Sequence, residues 1–507
     1  MPMRLSGLVT GMDTEALVGQ LMSAQSLKKK KVTGAKTKLE WKKDAWKELN
    51  KKLTSFYNGS VSKMRLSSSY NLKKAKLSDE TKASITADSG AVNGNYTMEI
   101  KSIASAQFLT SGKTAITSTS QKLTELGLSE GQTVEFKVEG KDAVTLTVDA
   151  ETKVSDFISK AKEAGINANY DTTQKKFFFS SKDTGGDNAF SITTADPTKL
   201  NGLGLGNVTY TKNALTGELT YTKTGAPADM ALKEAKDSHI VLNGADLYSS
   251  SSVVKANGLN INLTDTTEEG KSVNFSVSND VDAVYDSIKK ALKEYNDLMK
   301  EMKEKYSAES AKGYEPLTAE EKRALSDDEV EEWEKKIKDS LFRRDSKLEG
   351  IMSGMRSAMQ ATTKVGDKTY ALSSFGICTS TNYQEGGLLH IYGDPDDEEY
   401  GGEKDKLKLA LTENPEDTIE ALSNIFEGLR KDLFSRMGAT EYSSALTFYD
   451  DKQMDVDLDK YKKDIKAWDD KIAEMEDQYY KKFAAMESAM AKLQSQQSSL
   501  SGLFGMS

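Results

Sequence analysis

Residues 458–503 read LDKYKKDIKAWDDKIAEMEDQYYKKFAAMESAMAKLQSQQSSLSGL. Apolar residues recur at alternating steps of three and four: Leu458, Tyr461, Ile465, Trp468, Ile472, Met475, Tyr479, Met486, Ala489, Leu493, Leu500 and Leu503, with Lys482 and Gln496 as polar members of the row. A helix turns once in about 3.6 residues, so this alternation draws one continuous stripe along a single face, the heptad pattern of a coiled coil. The stretch holds no proline, whose missing N–H and ring clash would break it. It predicts a helix about 70 Å long, and a stripe of that length needs a partner.

The opposite end of the chain offers one. Val32, Ala35, Leu39, Trp46, Leu49, Leu53 and Phe56 follow the same steps, interrupted by Lys42, over about 37 Å. Upstream, Asp13 is placed to cap a shorter helix carrying Leu17, Val18, Leu21 and Met22. The run Lys28 to Lys31, with Gly34, predicts a break between the two. Together they match the C-terminal helix in length. The residues expected to carry assembly lie on these seams: Leu17, Leu21, Leu39, Trp46, Leu49, Leu53, Ile465, Trp468, Ile472, Met475, Tyr479, Met486 and Leu493. Because exposed helices gain most of their stability from packing, both ends are expected to order only on assembly, leaving a resistant body from about residue 70 to about 450.

Between the ends the period changes to two. Tyr96, Met98 and Ile100 alternate with Thr97, Glu99 and Lys101, and Val134, Phe136 and Val138 lead through Gly140 to Val144, Leu146 and Val148, a hairpin pattern. A short amphipathic helix (Val154, Phe157, Ile158, Ala161) stops at Gly165, and a second hairpin carries Tyr170 and Phe177 to Phe179. Leu200 to Thr224, rich in Gly, Thr and Asn, reads as a linker or weak hairpins; strands resume at His239 to Leu242 and Leu259 to Val277. A heptad-like helix starts near Ser278, capping boxes Thr318 to Glu321 and Ser326 to Glu329 open two more, and Asn414-Pro415 opens another. The fold class is therefore α+β and multidomain: terminal coiled-coil helices forming a leg, with strand-rich head domains and packed helices. The expected boundaries are 1–70 and 450–507 for the leg, 71–109 with 230–440 for the head, and 110–229 for an inserted β-rich outer module.

Composition agrees with modules of modest core. The 507 residues are 37% hydrophobic and 29% charged, with six prolines. Charge is uneven: residues 1–76 carry 17 Lys and Arg against 5 Asp and Glu, a net +12, while residues 77–449 carry a net −18. A basic arm raises the possibility of nucleic acid, but the lysines flank an apolar seam and read as a solvated helix face. The start, MPMRLSGLVTGMDTEALVGQLM, is broken by Arg4, Asp13 and Glu15, so no signal-peptide core or membrane span is expected.

Catalytic chemistry is not expected. The lone Cys378 forms no internal disulfide and reads as a buried small side chain; His239 and His390 are the only histidines and are too isolated for a triad or metal site. Gly202 to Gly206, GLGLG, lacks dinucleotide-binding spacing and reads as a flexible turn. The acidic run Asp394, Asp396, Asp397, Glu398 and Glu399 lacks EF-hand spacing and reads as a solvated loop. No cofactor is expected.

The terminal segments resemble the flagellar filament cap family, also called flagellar hook-associated protein 2. The resemblance rests on Ser6-Gly7-Leu8, then, after Val9 to Met12, Asp13-Thr14-Glu15-Ala16-Leu17-Val18 and Leu21-Met22; Gly94-Asn95-Tyr96 with Ile103-Ala104; Val241-Leu242-Asn243-Gly244; Glu294-Tyr295-Asn296; Phe375-Gly376-Ile377 with Thr379; and Tyr480, Phe483, Met486-Glu487 and Leu493 to Gln496 before Leu500. It implies a secreted bacterial protein at the tip of the flagellar filament, a ring-like homo-oligomer that retains flagellin, promotes its polymerisation and serves motility. Its implied partners are flagellin and the export machinery with its chaperone, without nucleic acid or membrane insertion. The alternative reading is a surface adhesin that binds mucin or host glycans through the head domains.

Overall fold

The computed structural model describes residues 13–213, 218–380 and 385–503, with side chains described to residue 500. Ser6-Gly7-Leu8 and the side chain of Leu503 lie outside them. No proline follows Pro415, and the chain closes in one long uninterrupted helix. The helices in chain order are α1 (Thr14–Phe56), α2 (Ser62–Met64), α3 (Val154–Glu163), α4 (Val281–Tyr306), α5 (Ala319–Arg323), α6 (Asp327–Asp339), α7 (Ser346–Met359), α8 (Lys406–Glu413), α9 (Pro415–Arg436) and α10 (Asp451–Leu503).

α1 is a single helix of 43 residues, which corrects the expected break near Gly34. A mid-helix glycine costs only about 1 kcal/mol relative to alanine, and this one is buried, where a Cβ would stand 3.5 Å from the ring of Pro316. The lysines expected to end the helix are tied down: Lys29 pairs with Asp469 and Lys30 with Glu321. Asp13 does cap the start, accepting from Ala16 N at 2.9 Å. α1 ends in a π-helical turn, Tyr57–Val61. α10 begins at Asp451 and runs 53 residues, about 80 Å.

Two compact units divide the chain, residues 1–70 with 281–507 and residues 71–280. Residues 281–440 thus group with the terminal helices, not with the strands of 71–109 and 230–280 as the sequence reading had it. Trp46 gives the reason. Its ring is 1% exposed, edge-on to Phe342 at 4.8 Å and stacked on Tyr449 at 5.6 Å. Leu49 and Leu53 beside it are also closed off, as are Tyr295 and Met302 of α4 and Leu422, Phe426 and Leu429 of α9. The second half of α1 therefore belongs to the protomer's own core and is not an unpaired arm awaiting assembly.

Local signals place the remaining helices of this unit. Thr318 and Glu321 form a reciprocal capping box for α5, and Ser326 and Glu329 one for α6. Asn296 of α4 acts as a piece of backbone: its amide donates to Leu389 O at 2.7 Å and accepts from Leu389 N at 2.8 Å. That pairing fixes the short strand Leu389–Ile391, which runs antiparallel to Ile377–Thr379.

The strand unit holds several antiparallel sheets, among them a five-stranded one in the order Lys73–Leu77, Val273–Asn279, Gly94–Ser102, Ser238–Leu242 and Ala245–Ser249. Tyr96, Met98 and Ile100 point inward to a core shared with Ile240, Ile261 and Phe275, and Tyr96 stacks on Phe275 at 5.0 Å. Asn243 and Gly244 both take positive φ, 48° and 84°, in the two-residue turn between Leu242 and Ala245, the hairpin geometry that Asn-Gly favours.

A second core within this unit runs from Leu109 to Met230 around Phe136, Phe157, Phe177, Phe179 and Phe190, with α3 supplying Phe157. The segment expected as linker or weak hairpins is part of this core. Leu200, Leu203, Leu205 and Val208 are fully buried, and Asn207–Lys212 pairs with Leu219–Thr224. GLGLG is likewise a packed turn, not a flexible one: a Cβ at Gly202 would fall 1.8 Å from Leu126 O, and one at Gly204 2.4 Å from Gly112 O. Glycine is required because other backbone occupies the side-chain space.

The burial of Trp46 sets an expectation. Trp46→Ala should destabilise the helical unit by about 3–5 kcal/mol, read as an equilibrium shift in denaturant unfolding of the monomer. A variant that unfolds like the wild type but associates less would return Trp46 to the subunit interface.

Candidate assembly surface

α1 and α10 pair antiparallel, and charges set their register. Lys43 meets Asp455 and Lys29 meets Asp469, so fourteen residues back along α1 correspond to fourteen forward along α10. Lys28 Nζ lies 5.8 Å from the ring centre of Trp468, whose ring also faces Lys471 at 5.0 Å. At the closed end Asn50 clamps the connecting loop, accepting from Phe448 N at 2.9 Å and donating to Leu446 O at 3.3 Å. Along the pair, Val18 and Met22 of α1 are buried, while Ile465, Trp468, Ile472, Met475 and Tyr479 of α10 are half-buried.

Extending that register brings Thr14, the first residue of α1, opposite residue 484. α10 continues past this point to Leu503. Its apolar stripe continues too: Met486 is 37% exposed, Met490 47%, Leu493 59% and Leu500 57%. On the outside of α1, Leu17, Leu21 and Leu27 are also exposed. The pair therefore carries more apolar face than it covers among the described residues, which suits packing against further helices.

The residues predicted for assembly separate into three groups. Leu17, Leu21, Met486 and Leu493 are exposed at the free end; Leu39, Ile465, Trp468, Ile472, Met475 and Tyr479 are half-buried along the α1–α10 seam. Trp46, Leu49 and Leu53 are at most 1% exposed inside the protomer, and side chains so enclosed have no area to offer a neighbour. Met490 was missed because it lies off the strict three-four row, yet it shares the exposed face four residues after Met486.

The basic arm is not simply a solvated face. Lys38 pairs with Glu315 at 2.7 Å, Lys42 with Asp345 at 2.7 Å and Lys52 with Glu301 at 2.7 Å, besides Lys30 with Glu321. The hydrogen bond from Lys30 and that from Thr318 N hold the Glu321 carboxyl below its usual range. Partly exposed pairs of this kind contribute about 0–1 kcal/mol each, so their main effect is on register. The opposite charge of the two regions, +12 and −18, was the sequence signal for this pairing.

Other singled-out residues have structural surroundings. His239 Nε2 lies 2.7 Å from Asp246, and its ring stacks on Tyr248 at 4.4 Å. Cys378 is half-buried rather than enclosed. The acidic run is pinned instead of solvated at one end: Asp394 is buried, and Lys289 of α4 reaches it and Asp396 at 2.6 Å each. Among the described residues, no helix is long and apolar enough to cross a membrane.

Comparison with known proteins assigns both ends of the chain to one family. The family model described as flagellar hook-associated protein 2 C-terminus matches residues 235–495, and that described as flagellar hook-associated protein 2 N-terminus matches residues 10–107. A flagellar hook-associated protein 2 of Halalkalibacterium halodurans is 28% identical over 445 residues, covering 83% of this chain and 79% of the relative. One of Thermotoga maritima is 24% identical over 464 residues, covering 88% and 66%. Among solved structures, the crystal structure of the D1-D2-D3 domains of the flagellar cap protein FliD from Escherichia coli aligns at 18% identity with a TM-score of 0.49, covering 77% of this chain and 97% of that one.

The free end and the seam should respond differently to charge. Leu493→Asp, at an exposed position, should change monomer stability by no more than about 0.5 kcal/mol while abolishing self-association in sedimentation velocity. Ile472→Asp, between the helices, should lower both. A Leu493→Asp protein that associates like the wild type would remove the stripe as an interface.

Proposed function

This chain belongs to the flagellar hook-associated protein 2 family, and we propose that it caps the growing flagellar filament as a homo-oligomer, retaining exported flagellin at the distal tip and promoting its polymerisation. The family is one of structural flagellar proteins, not of enzymes. The observation that carries the reading is the apolar stripe Met486, Met490, Leu493 and Leu500, which prolongs the α1–α10 seam beyond the end of α1.

The physical route runs from that stripe to a ring. A protomer whose leg exposes apolar helix face gains by burying it against neighbouring legs, at about 25 cal/mol per Å² removed from water. The strand unit, with its own two cores, keeps its fold through that step and supplies surface for flagellin. Six prolines and a single cysteine in 507 residues suit a chain that the flagellar export machinery, with a chaperone, passes unfolded and that refolds outside the cell. There a cap works extracellularly and serves motility. The adhesin reading, with mucin or glycans as ligands, gains no support from the family match.

A clean deletion should leave cells without filaments and flagellin monomer in the medium, scored by electron microscopy and by immunoblot of culture supernatant, with both restored by the gene in trans. Filaments of normal length in the deletion strain would refute the capping role.

A further inference from the structure

His390 has an acceptor at each ring nitrogen. Its Nδ1 lies 2.7 Å from Asp397 Oδ2 and its Nε2 3.1 Å from Glu385 Oε2. Ionised carboxylates only accept, and a neutral imidazole carries one N–H. In the neutral form one of the two contacts would therefore set lone pair against lone pair, whereas the imidazolium makes a charge-assisted hydrogen bond at both. The two carboxylates come from opposite sides in sequence, Glu385 before the strand Leu389–Ile391 and Asp397 after it. The side chain of His390 is 18% exposed and that of Asp397 16%, which leaves little water to screen them.

The surroundings make this contact a clasp. Asp397 also accepts from the backbone N–H groups of Glu399 and Tyr400, at 3.1 and 3.0 Å, so it fixes the turn that follows. Asp394 and Asp396 are both taken by Lys289. Tyr400 lies 5.0 Å from the imidazole and stacks on Tyr392 at 4.9 Å, and Cys378 stands opposite His390 on the paired strand. Near Glu385, Arg356 of α7 donates to Gly386 O at 2.9 Å, and Lys303 of α4 lies against Gly386. Beyond the turn, Asp405 caps α8 by accepting from Lys408 N at 2.8 Å. The strand itself is held by Asn296 whatever the charge on His390, so a change at His390 acts on the turn after it.

We propose that His390 is a protonation clasp for residues 385–405: charged, it draws Glu385 and Asp397 together across the strand, and on losing its proton it releases one of them and loosens the turn. Burial alone would favour neutral His390, but the bonds to Asp397 and Glu385 outweigh it and hold the imidazole pKa above its ordinary value of 6.5. The clasp is then complete below about pH 6.5 and is lost as pH rises through the folded-state value. None of these residues lies on the α1–α10 pair, so the clasp is tested separately from assembly.

The full-length protein has two histidines, so NMR titration of ring signals, assigned with His390→Gln, follows the group directly. His390 should titrate above 6.5. In parallel, amide exchange corrected for intrinsic rates should show protection of residues 392–404 falling about tenfold or more between about pH 5.5 and about pH 9, with α9 unchanged. His390→Gln should exchange alike at both. Titration at or below 6.5, equal wild-type protection at the two pH values, or a variant that keeps the pH step would overturn the proposal; if the variant does not fold, the wild-type measurements decide it.

Discussion

The antiparallel pairing of α1 with α10 is the constraint on which the helical unit depends. It joins segments more than 400 residues apart in sequence, as Lys43 and Asp455 or Lys29 and Asp469 show. Closing so long a loop costs entropy that grows only slowly with length, and the helical core offsets it where Trp46 lies between Phe342 and Tyr449. With the ends brought together, residues 71–280 form a separate compact unit whose two termini, Asn71 and Asp280, both adjoin the helical unit in sequence. The strand unit can therefore fold around its own cores without disturbing the seam.

Hydrophobic packing and charge have different tasks along α1. Enclosed side chains such as Leu49 and Leu53 supply stability, each on the order of 1.5–3 kcal/mol for a fully buried residue. The lysines of α1, paired with Glu301, Glu315, Glu321, Asp345, Asp455 and Asp469, add little each but oppose a slip of the helix, since a shift by one turn would break several pairs together. Toward the free end Val18 and Met22 of α1 stay buried, but beyond Thr14 the face of α10 is left exposed.

Much of this was legible in the sequence, for identifiable reasons. Period-two alternation at Tyr96, Met98 and Ile100 reports a sheet with one buried face, and the structure places all three in the core. The heptad row of α10 and both capping boxes are local and were read correctly in kind. Local pattern does not report which neighbour covers a face. Trp46 carries the same heptad signal as Trp468, yet one is enclosed within the protomer and the other lies half-buried on the seam. Gly34 reads as a helix breaker until Pro316 is seen against it, and Leu200 to Val208 read as linker because their core is assembled from strands before and after them. The clasp at His390 was illegible for the same reason, because Glu385 and Asp397 are brought to one ring by the strand between them.

We propose that the part of α10 beyond the reach of α1 drives association while the rest of the seam folds the protomer. Sedimentation velocity of a chain ending at residue 484, beside the full-length protein over a range of concentrations, tests this most directly. The shortened chain should be a folded monomer at every concentration, with the unfolding midpoint of the full-length monomer, while the full-length protein should form concentration-dependent oligomers. Oligomers of the same size from the shortened chain would contradict it.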